Sequence, residues 1–274
     1  TRYRGQRHRQ AFLARSACVV TMSEHMRQEA IAHGIDPTRA VRVPPFTPTE
    51  AAVCSVDTDG SGHARTRRRF FTATPSSNWH LVFVGRMETL KGAHLLIEAL
   101  GQIDEGLRRQ LRVTFAGDGR ERGRLEAEGR RLEMDLHFAG WVDAVERARL
   151  FESADLVVVP SIWPEPLGLV GLEAAAAGAP ALAFDVGGIR EWLTDGVTGR
   201  LVPATPPTAS ALAAGIAECL SDPVRLEAWG AAAHAASRRR TLALHVDALE
   251  DVLLRAAGHA SVRTLTTSAS HSVT

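Results

Sequence analysis

The sequence predicts an α/β protein built on a doubly wound parallel sheet, and three observations predict it. From Trp79 onward short apolar runs recur: HLVFVG at 80–85, LRVTFA at 111–116, LHFA at 136–139, LVVVP at 156–160 and PALAF at 180–184. Near-continuous apolar runs of this length read as strands covered on both faces. Between successive runs lies a segment of helical periodicity, the alternation that builds parallel sheets. The chain also has the material for such a core, with 274 residues of which 45% are hydrophobic.

Taken in order, residues 1–49 read as the closing part of a domain. They hold a short strand at 17–21, a helix at 24–33 with Ser23 at its cap and Gly34 after it, and a strand at 41–43 before Pro44 and Pro45. Residues 50–78 are rich in Ser, Thr, Asp, Gly and Arg and read as a linker with an insertion. Residues 79–258 carry the regular alternation, with helices expected at 93–103, 120–134, 144–153 and 167–177 between the five strands. Asp143 and Glu146 have the spacing of a capping box ahead of the third helix. A short strand at 199–202 and helices at 209–220, 224–237 and 242–257 complete the set. The tail, 259–274, is Ser- and Thr-rich and reads as disordered. The chain opens on Thr1 rather than Met, which reads as trimming or a partial reading frame.

Composition excludes several classes of function. A formal net charge of +1 leaves no general basic excess for binding nucleic acid. Cys18, Cys54 and Cys219 are odd in number and widely spaced, so neither a disulfide framework nor a zinc site is indicated, and a reducing, cytoplasmic location is expected. The eleven His residues show no metal spacing, and His94 and His137 read as structural. Arg65, Arg67, Arg68 and Arg69 followed by Phe70 and Phe71 would suit peripheral contact with an anionic membrane face, but a solvated charge run is the preferred reading.

The chemistry concentrates in 159–178, VPSIWPEPLGLVGLEAAAAG. A strand, a loop and a helix opening near Leu167 point free amides and the positive helix end at the sheet's carboxyl edge, where anions are held. Pro164 and Pro166 stiffen the loop that presents Glu165, a carboxylate suited to sugar hydroxyls. Gly168 admits a close ligand. Glu173 is followed by four alanines that let its helix press on the sheet, so its carboxylate needs a partner, and a ligand is one candidate. Gly85, Arg86, Lys91 and Gly92 leave the first strand at the same edge and bring two cations to one crevice. Lys91 is the sole lysine of the chain.

The frame PEPLGLVGLEA at 164–174, with seven residues between Glu165 and Glu173, resembles the signature of retaining GT-B glycosyltransferases of family four. The resemblance implies a Rossmann-like donor domain preceded by a remnant of the acceptor-side N-terminal domain, with the last helix crossing back to pack on it. It also implies the roles. Glu165 meets the sugar hydroxyls, the amides of Leu167, Gly168, Leu169 and Val170 meet sugar and diphosphate, and Glu173 meets the ribose. Arg86 and Lys91, with Gly85 before them, match the family's G-R…K-G motif and stabilise the departing diphosphate. Val142, in Gly140-Trp141-Val142, falls where the base is met by backbone, while Trp141 itself is equally a core candidate.

Gly187 and Gly188, with Glu191, match a G-G-x-x-E segment that passes near the sugar or simply turns the chain. Gly117-Asp118-Gly119 with Gly123 is one residue too long for a nicotinamide fingerprint and reads as a tight turn. Trp163 is expected to pack the donor loop. The expected activity is transfer from a UDP-, GDP- or ADP-sugar, without cofactor or metal, to a sugar, lipid or small-molecule acceptor. The alternative is a donor-binding module, truncated and inactive alone, that needs a separate acceptor-domain chain.

Overall fold

The structure is a computed structural model and describes residues 12–13, 15–47 and 79–258. The expected linker at 50–78, its Arg65 to Arg69 cluster with Phe70 and Phe71, and the tail at 259–274 lie outside the described residues. The chain forms two compact units. One is Thr47–Arg239; the other joins the residues up to Phe46 with those from Arg240 onward.

The smaller unit begins with β1 (Val19–Thr21), α1 (Glu24–Ala32) and β2 (Ala40–Arg42). The two strands pair in parallel, Val19 opposite Ala40, as a strand-helix-strand crossover allows. Ser23 caps α1 by accepting from the Met26 amide at 3.1 Å.

The larger unit holds six strands: β3 (Trp79–Val84), β4 (Leu111–Ala116), β5 (Asp135–Gly140), β6 (Leu156–Val159), β7 (Ala181–Phe184) and β8 (Gly199–Val202). All pair in parallel in the order β5-β4-β3-β6-β7-β8. The chain therefore starts at the middle of the sheet, winds outward to β5, returns to lay β6 beside β3, and winds outward the other way. Strand β3 shows why the apolar runs do not alternate with polar residues. Leu81 and Phe83 enter the main core while Val82 packs on the opposite face with Phe151, Val157 and Ala174, so both faces are dry.

Helices α2 (Ala93–Gln102), α3 (Glu105–Arg108), α4 (Arg122–Arg130), α5 (Ala144–Ser153), α6 (Leu169–Ala176), α7 (Ala209–Leu220) and α8 (Pro223–Ser237) cover the sheet. Ala93, Leu96, Ile97 and Leu100 of α2 recur at helical spacing and are buried where α2 meets α7. Helix α6 buries Ala174 and Ala175 and packs on α5 and α8, where small side chains allow close approach. The capping box at α5 is present in full. Single turns at α3, Thr89–Lys91 and Gly187–Glu191 have no signal in the periodicity. Helix α4 starts at Arg122, after the expected residue 120, and the amide of its cap residue Glu121 donates to the Met87 carbonyl at 3.0 Å.

The last helix, α9 (Leu242–Ala256), groups with the smaller unit. His245 of α9 donates from Nδ1 to the Pro44 carbonyl at 2.8 Å, and its ring lies 5.5 Å from that of Phe46. Among the described residues no helix is long and apolar enough to cross a membrane.

Candidate active site

Strand order reverses between β3 and β6, the switch point at whose carboxyl edge open parallel sheets bind ligands. The loops that follow those two strands are tied together by backbone. The Leu90 carbonyl, on the loop after β3, accepts from the amides of Ile162 at 3.0 Å and Trp163 at 3.3 Å on the loop after β6.

Across this junction Lys91 and Glu165 meet, with Nζ 2.5 Å from Oε1. The Glu165 residue is only 6% exposed and the Lys91 side chain 29%, so the ammonium reaches solvent while the carboxylate does not reach far. Ser161, buried, donates to the same Oε1 at 2.6 Å. A carboxylate this enclosed needs such partners to remain in place.

Arg86 stands on the same loop as Lys91, exposed and with no ion-pair partner among the described residues. Behind it the Gly117-Asp118-Gly119 turn serves as a backing rather than a cradle. The Met87 amide donates to the Asp118 carbonyl at 2.8 Å, and the Gly85 amide to the Ala116 carbonyl at 2.9 Å. At the rim Arg120 pairs with Glu88 at 2.8 Å, and this hydrogen bond holds the Glu88 carboxyl below its ordinary range.

Helix α6 opens at Leu169, two residues later than periodicity indicates, because Gly168 takes the left-handed φ of 85° and cannot be helical. As a glycine cap it offers no side-chain acceptor to the helix start, where amides and the positive helix end face out of the sheet edge. The space its side chain would fill is occupied by Ile189 and Trp192. Gly168 is thus required by the turn and by Trp192, whose Nε1 donates to the Leu167 carbonyl at 2.8 Å. Leu167 is buried, Val170 half-buried and Leu169 exposed.

Glu173 has a protein partner that sequence reasoning missed. Arg147, on α5, grips its carboxylate with both arms of the fork: Nε to Oε2 at 2.6 Å and Nη2 to Oε1 at 3.1 Å. The signal available was position: Arg147 precedes the buried Ala148 by one residue and Phe151 by four on a helix whose start the capping box fixes. That places it toward the sheet-facing side, where an acid on α6 needs a countercharge.

Gly187 and Gly188 also act on the site through the backbone. The Gly188 amide donates to the Glu165 carbonyl at 2.7 Å. Gly187, at φ 56°, comes so close that a Cβ there would lie 2.4 Å from the Glu165 carbonyl oxygen. The pair clamps the loop that carries Glu165. Val142 is half-buried in the loop after β5, and its neighbour Trp141 is 81% exposed, which removes it from the core. Trp163 keeps its ring half exposed while its amide ties the loops. Among the described residues no group of three or more His, Cys, Asp or Glu side chains is arranged to hold a metal.

The family model described as "Glycosyl transferases group 1" matches residues 64–236. The chain belongs to the group 1 glycosyltransferases. A D-inositol 3-phosphate glycosyltransferase of Xylanimonas cellulosilytica is 35% identical over 239 residues, covering 84% of this chain and 54% of that protein. A phosphatidyl-myo-inositol mannosyltransferase of Mycobacterium tuberculosis is 35% identical over 168 residues, 60% of this chain and 44% of the other. The chain therefore spans about half the length of the curated relatives it matches.

Among solved structures, Anabaena HepE in complex with UDP and glucose superposes on this glycosyltransferase with a TM-score of 0.67 at 23% identity, covering 86% of this chain and 63% of that one. Sucrose-phosphate synthase from Thermosynechococcus elongatus gives 0.70 at 24% identity, covering 91% and 61%. At these identities the likeness establishes the fold, the doubly wound sheet of GT-B glycosyltransferases.

Proposed function

We propose that this glycosyltransferase binds a nucleoside diphosphate sugar in the crevice between β3 and β6 and transfers the sugar with retention of anomeric configuration. The observation that carries the reading is the Lys91–Glu165 contact at the switch point. It sets a cation for the diphosphate directly beside a carboxylate for the sugar. The diphosphate would lie against Arg86, Lys91 and the amides that open α6, with Gly85 at the floor, and its growing charge would be met by fixed donors. Glu165 would accept from the sugar hydroxyls and Glu173, held by Arg147, from the ribose. The loop at Val142 would meet the base through its backbone.

Catalysis in this scheme is positional and electrostatic, without a metal ion, and the acceptor hydroxyl approaches from the face that the diphosphate leaves. HepE crystallised with UDP and glucose supports the substrate class. The acceptor would be a sugar, a lipid or a small molecule. A second reading, a donor-binding module that needs a separate acceptor-domain chain, is favoured by one fact. Every residue assigned to the site lies in the single unit Thr47–Arg239.

Thermal unfolding with UDP, GDP and ADP and their sugar conjugates tests the proposal. A ligand at a hundredfold over its Kd adds about 2.7 kcal/mol, a rise of about 5–10 °C for a unit of this size. One nucleotide is expected to give that rise with the native chain and not with Lys91→Ala. No rise with any of the three contradicts the proposal.

A further inference from the structure

The Glu165 carboxylate receives two hydrogen bonds among the described residues, and both fall on the same atom. Lys91 Nζ lies 2.5 Å and Ser161 Oγ 2.6 Å from Oε1. Oε2 has no such partner, yet it is not among the side-chain atoms that are both buried and unpartnered, so it keeps some accessible surface.

Ser161 itself is 2% exposed and within 3.0 Å of a second acceptor, the Leu90 carbonyl. A hydroxyl has one proton to give. The Leu90 oxygen already accepts from the amides of Ile162 and Trp163, which fill its two lone pairs. Oε1 already accepts from the Lys91 ammonium and is not a donor to Ser161. The hydroxyl proton is thereby directed to Glu165.

We propose that Ser161 is a positioning residue that commits Oε1 of Glu165 to the protein and leaves Oε2 as the atom that accepts a hydroxyl of the donor sugar. The inference rests on the donor-site reading above and refines it to a single atom. Ser161 follows β6 by two residues, on rigid backbone tied to the loop of Lys91. The carboxylate it aims cannot rotate without giving up a charge-assisted hydrogen bond. When a diphosphate draws on Lys91, Ser161 is the contact that still holds Oε1 in place. Its effect is therefore specific to the sugar: the nucleotide part of the ligand touches neither Ser161 nor Oε2.

The test is calorimetric titration of the native chain, Ser161→Ala and Ser161→Thr with UDP and UDP-glucose, ADP and ADP-glucose, and GDP and GDP-mannose. For the pair that binds the native chain, Ser161→Ala is expected to bind the bare diphosphate within about twofold of native. That result shows the variant folded with its diphosphate site intact. The sugar conjugate is expected to bind about tenfold more weakly, the effect of about 1.4 kcal/mol, and Ser161→Thr, which keeps the hydroxyl, to recover most of it.

A sugar conjugate that binds Ser161→Ala as it binds the native chain overturns the assignment while the donor site stands. An equal loss for the diphosphate and its conjugate also overturns it, and makes Ser161 scaffolding. A native chain that binds none of the six compounds overturns the donor-site reading, and the Ser161 assignment with it.

Discussion

Replacing Arg147 by Ala should destabilise the larger unit and weaken its hold on nucleotide together. Among the described residues Arg147 supplies both hydrogen bonds to the Glu173 carboxylate, at 2.6 and 3.1 Å. Breaking a fully buried pair costs about 3–5 kcal/mol because a charge is left without water or partner, whereas an exposed pair contributes about 0–1 kcal/mol. Here the side chains keep 28% and 16% of their exposure, so water recovers part of the loss. We expect about 2 kcal/mol, a fall in melting temperature of about 4–8 °C.

The cost comes from the carboxylate left behind, so Glu173→Gln placed on top of Arg147→Ala should restore part of it. The double-mutant cycle should give a coupling of about 1–2 kcal/mol. Thermal and urea unfolding followed by circular dichroism measure all four proteins. A melting temperature for Arg147→Ala within about one degree of native, or a further loss on adding Glu173→Gln, would refute the view that Arg147 is the countercharge of this acid.

Gly187→Ala places a Cβ 2.4 Å from the Glu165 carbonyl oxygen at a φ of 56°. The left-handed backbone alone costs about 1 kcal/mol, and the displaced loop should lower affinity for sugar nucleotide in titration more than it lowers melting temperature. Cys219 is wholly enclosed, and burial pushes its thiol up to about 12 from an ordinary 9.0. It should resist a disulfide reagent at pH 8 until the chain unfolds. In the folded state it keeps its proton where the unfolded chain has lost it, so its contribution to stability is full below pH 9 and declines as pH rises toward 12. Cys219→Ala should flatten that decline in urea titrations run at successive pH values.

How far the sequence could be read follows from what each residue needed. The sheet was legible because parallel strands are buried on both faces, so runs such as 81–83 and 156–158 stand out without any partner being known. The meeting of Lys91 and Glu165 was legible at one remove: both leave strands at the carboxyl edge, and the reversal of strand order brings those two loops together. Arg147 was legible as a base on the inward side of α5 but not as the partner of Glu173, because nothing in the order of residues says that α5 and α6 are neighbours in space. Gly168 was legible as a required glycine, but its protein neighbours were not, since Ile189 and Trp192 arrive from 21 and 24 residues downstream. Gly187 and Gly188 were visible as a pair, but their target, the backbone of Glu165, is a tertiary contact that no local pattern encodes.

Whether the loops after β3 and β6 hold a nucleoside diphosphate through Lys91 is decided by phosphorus NMR of UDP, GDP and ADP titrated with the native chain and with Lys91→Ala. The β-phosphorus of one nucleotide should shift and broaden with the native chain and return to its free position with the variant. A β-phosphorus that is unmoved by the native chain, or moved equally by both proteins, would contradict binding through Lys91.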